Sequence, residues 1–158
     1  MSMKIGKIVK DSFGSLKERD LGLSREKPIH IFRRLFVQDE EVLLHYHDTL
    51  EINFSCTMSG KVTVGSTTLD LSSHEIIVLS PDYLHSYQIQ KSSGYMLVLH
   101  VSLTALENYF KLDNLFSLMS LNLWQLPLTA PGYEKLSLLL HEIEKHEQPV
   151  YSLPAILK

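Results

Sequence analysis

Cysteine is almost missing from this chain: Cys56 stands alone in 158 residues. One thiol excludes an intrachain disulfide and any multi-cysteine zinc site. It lies between apolar Phe54 and Met58, a setting for a small buried core residue rather than a nucleophile. Long apolar runs are missing too, since none approaches the roughly 20 residues needed to cross a bilayer. The opening stretch MSMKIGKIVKDSFGSL lacks the apolar centre of a signal peptide, so the expected location is the cytoplasm, with no membrane partner. Nucleotide and hydrolase signatures are lacking as well: there is no Gly-x-Ser-x-Gly elbow, phosphate loop or dinucleotide fingerprint. His141 and His146 follow a Glu142 pattern like that of zinc proteases but stand five residues apart. That spacing separates them by about 140° around a helix, which removes the reading. A net charge of -3 argues against a nucleic-acid surface made by this chain itself. The charge is uneven: residues 1–34 hold nine Lys and Arg against four acids, and the rest six against fourteen.

What is present is a succession of short strands. A chain of this size forms a single domain that buries about two thirds of its unfolded surface. Residues 1–27 show no sustained period and contain Gly6, Gly14 and Gly22, which predicts an arm. The domain then begins after Pro28, with Ile29 to Val37 as a first strand and Gln38 to Glu41 as an acidic turn. From Leu50 the alternation is clean, with Leu50, Ile52, Phe54, Cys56 and Met58 apolar and Glu51, Asn53, Ser55 and Thr57 polar. That pattern predicts a strand buried on one face and polar on the other. Ser59-Gly60 and Gly65-Ser66 punctuate strands at Lys61 to Val64 and Thr67 to Leu71. Further strands are expected at Glu75 to Leu79, closed by Ser80-Pro81-Asp82, and at His85 to Gln90 and Tyr95 to Val101. Strands with turn signals and no helix between them point to an antiparallel sandwich or barrel.

After Leu103 the character becomes helical. Thr104-x-x-Glu107 is a capping box for a helix over Ala105 to Phe110, and Asp113 caps one over Asn114 to Met119. Trp124 sits in an apolar stretch, expected as core. Tyr133 to Glu147 carries Leu136, Leu139, Leu140 and Ile143 at i, i+3, i+4 and i+7, one apolar stripe that either packs on the barrel or forms a dimer seam. Tyr151 to Lys158 opens a new amphipathic pattern and stops without a cap, which predicts a cut between domains.

The chemistry concentrates in His45-Tyr46-His47-Asp48-Thr49-Leu50-Glu51, with His85 forty residues from His45. In an extended strand His45, His47 and, if the extension holds, Glu51 project to one side. Three imidazoles and a carboxylate suit a divalent cation such as iron, manganese, nickel or zinc. The same groups also suit hydrogen bonding to a neutral ligand in a pocket, and spacing leaves both open.

His45-x-His47-x-x-x-Glu51, the Gly60 turn, and Glu75 to Pro81 with Pro81-x-x-x-His85 resemble the two motifs of the cupin superfamily. HYHDTLEINF, a hairpin, EIIVLSPDYLHSY and the late helix YEKLSLLLHEIEKHEQ more closely resemble the N-terminal sensor domain of AraC-type transcription regulators, over residues 28–150. The chain departs from the cupin pattern at His74 and Tyr83, where glycines are usual, and in the eight residues between Glu51 and Gly60. The asparagine after the second-motif histidine is also missing. The resemblance implies a mainly β fold, a cupin-like antiparallel double-stranded barrel (jelly roll) over 28–102. It is followed by C-terminal α-helices in a dimerisation segment over 103–158, with a helix-turn-helix DNA-binding domain beyond. The implied function is effector sensing, with a sugar as effector and His45, His47, Glu51, Asn53, His85 and Tyr87 as the pocket. A homodimer through Leu136, Leu139, Leu140 and Ile143 is implied, and no cofactor. The alternative is a metal-dependent cupin enzyme, an isomerase or dioxygenase, with His45, His47, Glu51 and His85 as ligands.

Overall fold

Strand β5, Leu50–Cys56, sits at the centre of the molecule because it is apolar outward and polar inward, and both sides are covered. In the structure, a computed structural model, residues 7–10, 16–19, 23–91, 94–106, 123–127 and 129–146 are described. The strands are β1 (Lys7–Lys10), β2 (Leu16–Arg19), β3 (Ile29–Leu35), β4 (Glu40–His45), β5, β6 (Gly60–Val64), β7 (Thr67–Leu71), β8 (Glu75–Leu79), β9 (His85–Ile89), β10 (Tyr95–Val101) and β11 (Leu123–Pro127). The helices are α1 (Leu103–Leu106) and α2 (Ala130–His146).

Two antiparallel sheets carry the fold, one of five strands in the order β11-β8-β5-β10-β3 and one of four in the order β4-β9-β6-β7. They face each other across a shared apolar cluster, to which Ile77, Leu79, Met96 and Val98 come from the first sheet and Val62, Val64, Leu71, Tyr87 and Ile89 from the second. This is the mainly β, jelly-roll arrangement expected of a cupin-like barrel. The other face of the five-stranded sheet holds a second cluster, Ile31, Phe54, Cys56 and Leu97, covered by Leu140 of α2 with Tyr133, Leu136 and Ile143. Helix α2 starts three residues earlier than the apolar period indicates. Pro131 lies in its first turn, where a missing N–H costs nothing, and the Tyr133 N–H bonds the Thr129 carbonyl at 2.8 Å.

One expectation needs correction, and two gain detail. Residues 38–41 are not simply a turn: Glu40 and Glu41 begin β4, paired with Ile89 and Gln88 of β9. The polar face of β5 is covered, for Glu51, Asn53 and Ser55 are all buried. Cross-strand pairs share a face, and these three lie opposite Leu79, Ile77 and Val98, and Met96, so they point between the sheets. The stretch expected as an arm, residues 1–27, contains two paired strands. β1 and β2 form an antiparallel hairpin that reaches the barrel where the Tyr46 N–H bonds the Leu16 carbonyl at 3.0 Å. Lys17 adds an ion pair to Asp48 at 3.0 Å and stands 5.6 Å from the centroid of the Tyr46 ring.

The expected second helix, Asn114 to Met119, and the tail from Tyr151 lie outside the described residues. Backbone at the departures from the cupin pattern is informative. His74 takes φ 66 and Asp82, beside Tyr83, takes φ 64, left-handed conformations for which glycine is the easy choice. The Gly60 turn is kept for a different reason: a Cβ there would lie 2.4 Å from the Gln88 carbonyl oxygen.

Candidate functional site

The histidine-rich segment crosses from one sheet to the other, and that crossing builds the site. His45 ends β4 and faces His85 of β9 in register; the chain bends at 48–49 and re-enters as β5, which carries Glu51 and Asn53. His45, His47 and Glu51 therefore converge because the chain turns, not because one strand keeps its parity. Tyr87 lies two residues beyond His85 on the same face of β9. All six pocket residues expected from the sequence are buried: His45, His47, Glu51, Asn53, His85 and Tyr87.

Glu51 is the hub. Its Oε2 lies 2.7 Å from His47 Nε2, 3.7 Å from His85 Nε2 and 3.9 Å from His100 Nε2. Its Oε1 accepts from Asn53 Nδ2 at 2.5 Å and from the Tyr87 hydroxyl at 2.6 Å. Asn53 Nδ2 also donates to that hydroxyl oxygen at 2.6 Å. Burial acts to raise the Glu51 carboxyl, but the His47 hydrogen bond and the surrounding imidazoles outweigh it and hold it well below the carboxylate range. The same surroundings act oppositely on the phenol: burial, then the Glu51 charge, push Tyr87 well above its ordinary value.

The imidazoles are oriented from behind. Nδ1–H of His45 donates to the Leu43 carbonyl at 2.8 Å, that of His85 to Tyr83 at 2.9 Å, and that of His47 to Thr49 at 3.0 Å. A backbone carbonyl accepts only, so the Nδ1 of His45 and of His85 carries the proton and their Nε2 atoms are bare. His47 differs: its Nε2–H donates to the ionised Glu51 Oε2 at 2.7 Å. Burial lowers His45, lowers His85 to about 4 and lowers His100 to about 3, so these rings are neutral at pH 7. Two buried acceptors here, His85 Nε2 and Asn53 Oδ1, have no hydrogen-bond partner, and neither does Ser55 Oγ further along β5.

This donor set fits a divalent cation. Tetrahedral bonds of about 2.1 Å place neighbouring ligand atoms about 3.4 Å apart, close to the 3.7 and 3.9 Å between Glu51 Oε2 and the Nε2 atoms of His85 and His100. The unpartnered Nε2 of His85 is the kind of atom a cation would satisfy.

Sequence reasoning did not single out His100 or Thr49. His100 is directly opposite Glu51 on β10, and Thr49 Oγ1 lies 3.0 Å from Nδ1 of both His47 and His100. The available signal was a lone histidine on the inward parity of the apolar strand YMLVLHV. Of the four seam candidates, Leu136, Leu140 and Ile143 pack on the five-stranded sheet. Leu139 faces outward beside Leu138, at 57% and 70% exposure.

Two facing sheets, a polar interior at one end and a helix across the back define the fold, a double-sheet jelly roll closed on one side by a late helix. Three solved structures of ToxT from Vibrio cholerae share it. One, bound to (E)-4-(8-methylnaphthalen-1-yl)but-3-enoic acid, superposes with TM-score 0.53 at 12% identity, covering 78% of this chain and 49% of that one. A second ToxT crystal form gives 0.52 at 10%, covering 82% and 60%. ToxT bound to an unsaturated fatty acid gives 0.51 at 11%, covering 76% and 46%. The chain thus spans between 46% and 60% of the length of these ToxT chains. No family model matches the chain, and no curated protein matches it in sequence. Among the described residues, no helix is long and apolar enough to cross a membrane.

Proposed function

We propose that the chain is the ligand-sensing domain of an AraC-type transcription regulator, working in the cytoplasm and taking a small effector between its two sheets. The observation that carries this reading is the set of buried, unpartnered acceptors beside Glu51 in a ToxT-like fold: His85 Nε2 and Asn53 Oδ1. A buried polar atom without a partner costs about 1–3 kcal/mol, and an effector that brings O–H or N–H donors recovers it. A sugar is such an effector, and we put it first. A carboxylic acid, the kind of ligand named for two of the ToxT structures, brings acceptors to a site that already holds an ionised carboxylate.

Signal transmission follows from what the site touches. The β1–β2 hairpin grips Tyr46 and Asp48, the residues on either side of His47, so the arm and the ligand compete for one conformation of that loop. An effector with different affinities for the gripped and released loop shifts their ratio. Dimerisation is assigned to the outward Leu138 and Leu139 of α2, and DNA contact to a helix-turn-helix part outside these residues.

A thermal-shift panel of sugars, short carboxylic acids, unsaturated fatty acids and divalent metals tests the reading. A cognate sugar at about 100 times its dissociation constant stabilises the fold by about 2.7 kcal/mol. Stabilisation by acids alone removes the sugar assignment, and a panel with no response removes the sensor.

The second reading is a metal-dependent cupin isomerase or dioxygenase, favoured by the carbonyl-tethered imidazoles around Glu51. His45, His47, Glu51 and His85 would hold the cation, which when bound supplies Lewis-acid polarisation of a substrate oxygen. Tyr87, hydrogen-bonded to Glu51, would keep that carboxylate oriented. Stoichiometric metal together with turnover of a sugar or keto acid would favour the enzyme over the sensor.

A further inference from the structure

The cluster on which the sensor reading depends is sealed. His45, His47, Glu51, Asn53, His85 and His100 are each exposed by no more than 4%, so a molecule reaches them only if a bordering segment moves. We infer that residues 80–84 are that segment, a gate that lifts away from residues 46–49 and admits the effector. The inference rests on the interior cluster being the effector site and adds its entrance.

Two connections border the cluster. Residues 46–49 carry His47 and Thr49 from β4 into β5, and residues 80–84 lead from β8 into His85. The other residues sit in ladders, β5 between β8 and β10, β10 between β5 and β3, and β9 between β4 and β6, so moving them breaks rows of hydrogen bonds. The 46–49 crossing is also held from outside, by the Leu16 carbonyl on the Tyr46 N–H and by Lys17 on Asp48.

The 80–84 connection is held at its base and clasped at its tip. At the base Ser80 is buried, and the Leu84 carbonyl accepts from the Gly65 N–H at 3.1 Å. At the tip the Asp82 N–H donates to the His47 carbonyl at 2.7 Å, while Asp82 and Tyr83 are exposed. Asp82 takes φ 64, a left-handed conformation that strains a residue with a side chain. Strain of this kind persists where the surroundings hold it, and it collects at clamps and switches. Opening breaks the bond to His47 and releases the left-handed backbone. These two effects are of similar size and opposite sign, so the closed and open forms lie close in energy. Pro81 fixes its own φ and keeps the flap stiff.

Closure also completes the site. The Tyr83 carbonyl accepts the Nδ1–H of His85 at 2.9 Å, which leaves His85 Nε2 as a bare, buried acceptor. When the flap lifts, Tyr83 leaves with it, and His85 loses the bond that fixes its tautomer. Entry and the presentation of that acceptor are therefore one movement, and lids that work in this way commit the ligand they admit.

The test uses the whole chain and two measurements that need no effector. One is amide hydrogen exchange; the other is the initial rate at which diethyl pyrocarbonate acylates His85, read by peptide mass, with exposed His74 as the reference for reagent strength. In the parent chain the Asp82 amide should exchange at least about tenfold faster than the β5 amides, while the Gly65 amide stays protected. Asp82→Gly relieves the closed form and should slow acylation of His85 about threefold. Asp82→Val puts a branched side chain at positive φ and should speed it about tenfold, with β5 exchange unchanged in both variants. An Asp82 amide as protected as those of β5 would overturn the gate, a result that needs no variant to fold. So would acylation of His85 that tracks β5 exchange in every variant, or that responds to removal of residues 1–22 and not to Asp82. A chain stabilised by a sugar whose Asp82 amide is as protected as β5 loses the gate and keeps the sensor reading.

Discussion

At the scale of single residues, the interior is governed by one carboxylate and the groups that keep it charged. Glu51→Ala would leave the His47–Thr49 pair, the Asn53 amide and the Tyr87 hydroxyl without their common acceptor. Breaking a buried charged network from one side costs about 3–5 kcal/mol, so the urea midpoint should fall accordingly; a loss below about 1 kcal/mol would show that the network contributes little. The histidines set the pH response. His45, His85 and His100 have folded pKa values below 6.5, so each contributes stability that is complete above pH 6.5 and is lost as pH falls toward the folded value. Glu51, also lowered, acts in the same direction below about 4.5. Chelator-treated protein should therefore have a flat stability profile above pH 7 and lose up to about 1.4 kcal/mol per pH unit for each such histidine below 6.5. A profile level down to pH 5 would contradict the burial of neutral rings. His45, His47, Glu51 and His85 were legible because they cluster in a motif. His100 was not, because its meaning depends on a strand partner 49 residues earlier, which spacing does not reveal.

At the scale of elements, helix α2 shows how a correct period can carry two meanings. Leu136, Leu140 and Ile143 serve the sheet, and Leu139 serves the outside with Leu138. Leu140→Ala should cost about 2–5 kcal/mol in chemical denaturation, and Leu139→Ala should stay within about 0.5 kcal/mol. The Leu138→Glu, Leu139→Glu double variant should sediment as a folded monomer; a dimer would place the seam elsewhere. Strands β7, β8 and β10 were legible to the residue because turn signals bound them on both sides. β4 was missed because it opens with two acids, lies at a sheet edge and shifts register near exposed Leu43 and Leu44, so no alternation survives. β11 was missed because LWQLP is short and ends in proline, a composition tolerated at an edge strand. The polar face of β5 was legible as polar, but that it turns inward was carried only by the pocket assignment of Glu51 and Asn53, since polarity reports chemistry and not which side meets water.

At the scale of the whole molecule, the arm is the part most open to test. The Lys17–Asp48 pair is partly exposed and worth at most about 1 kcal/mol, so removal of residues 1–22 should barely change the thermal midpoint. It should, however, change effector affinity by fivefold or more, the lower end of typical coupling between sites, as read by calorimetry. An affinity unchanged within twofold would uncouple the arm from the ligand. The fold class was legible because strand spacing and the late helix agree, whereas the contact between hairpin and barrel was hidden because it rests on a few residues far apart in sequence, Leu16 and Lys17 against Tyr46 and Asp48. The central place of β5 has a further consequence for how the protein breathes. With β8 and β10 on either side, and covered on both faces, its amides should exchange with deuterium only through global unfolding, while edge strands β3 and β11 open earlier. The carboxylate at the heart of the site thus rides on the last segment to come apart, and a ligand held there slows hydrogen exchange across the entire sheet rather than around itself alone.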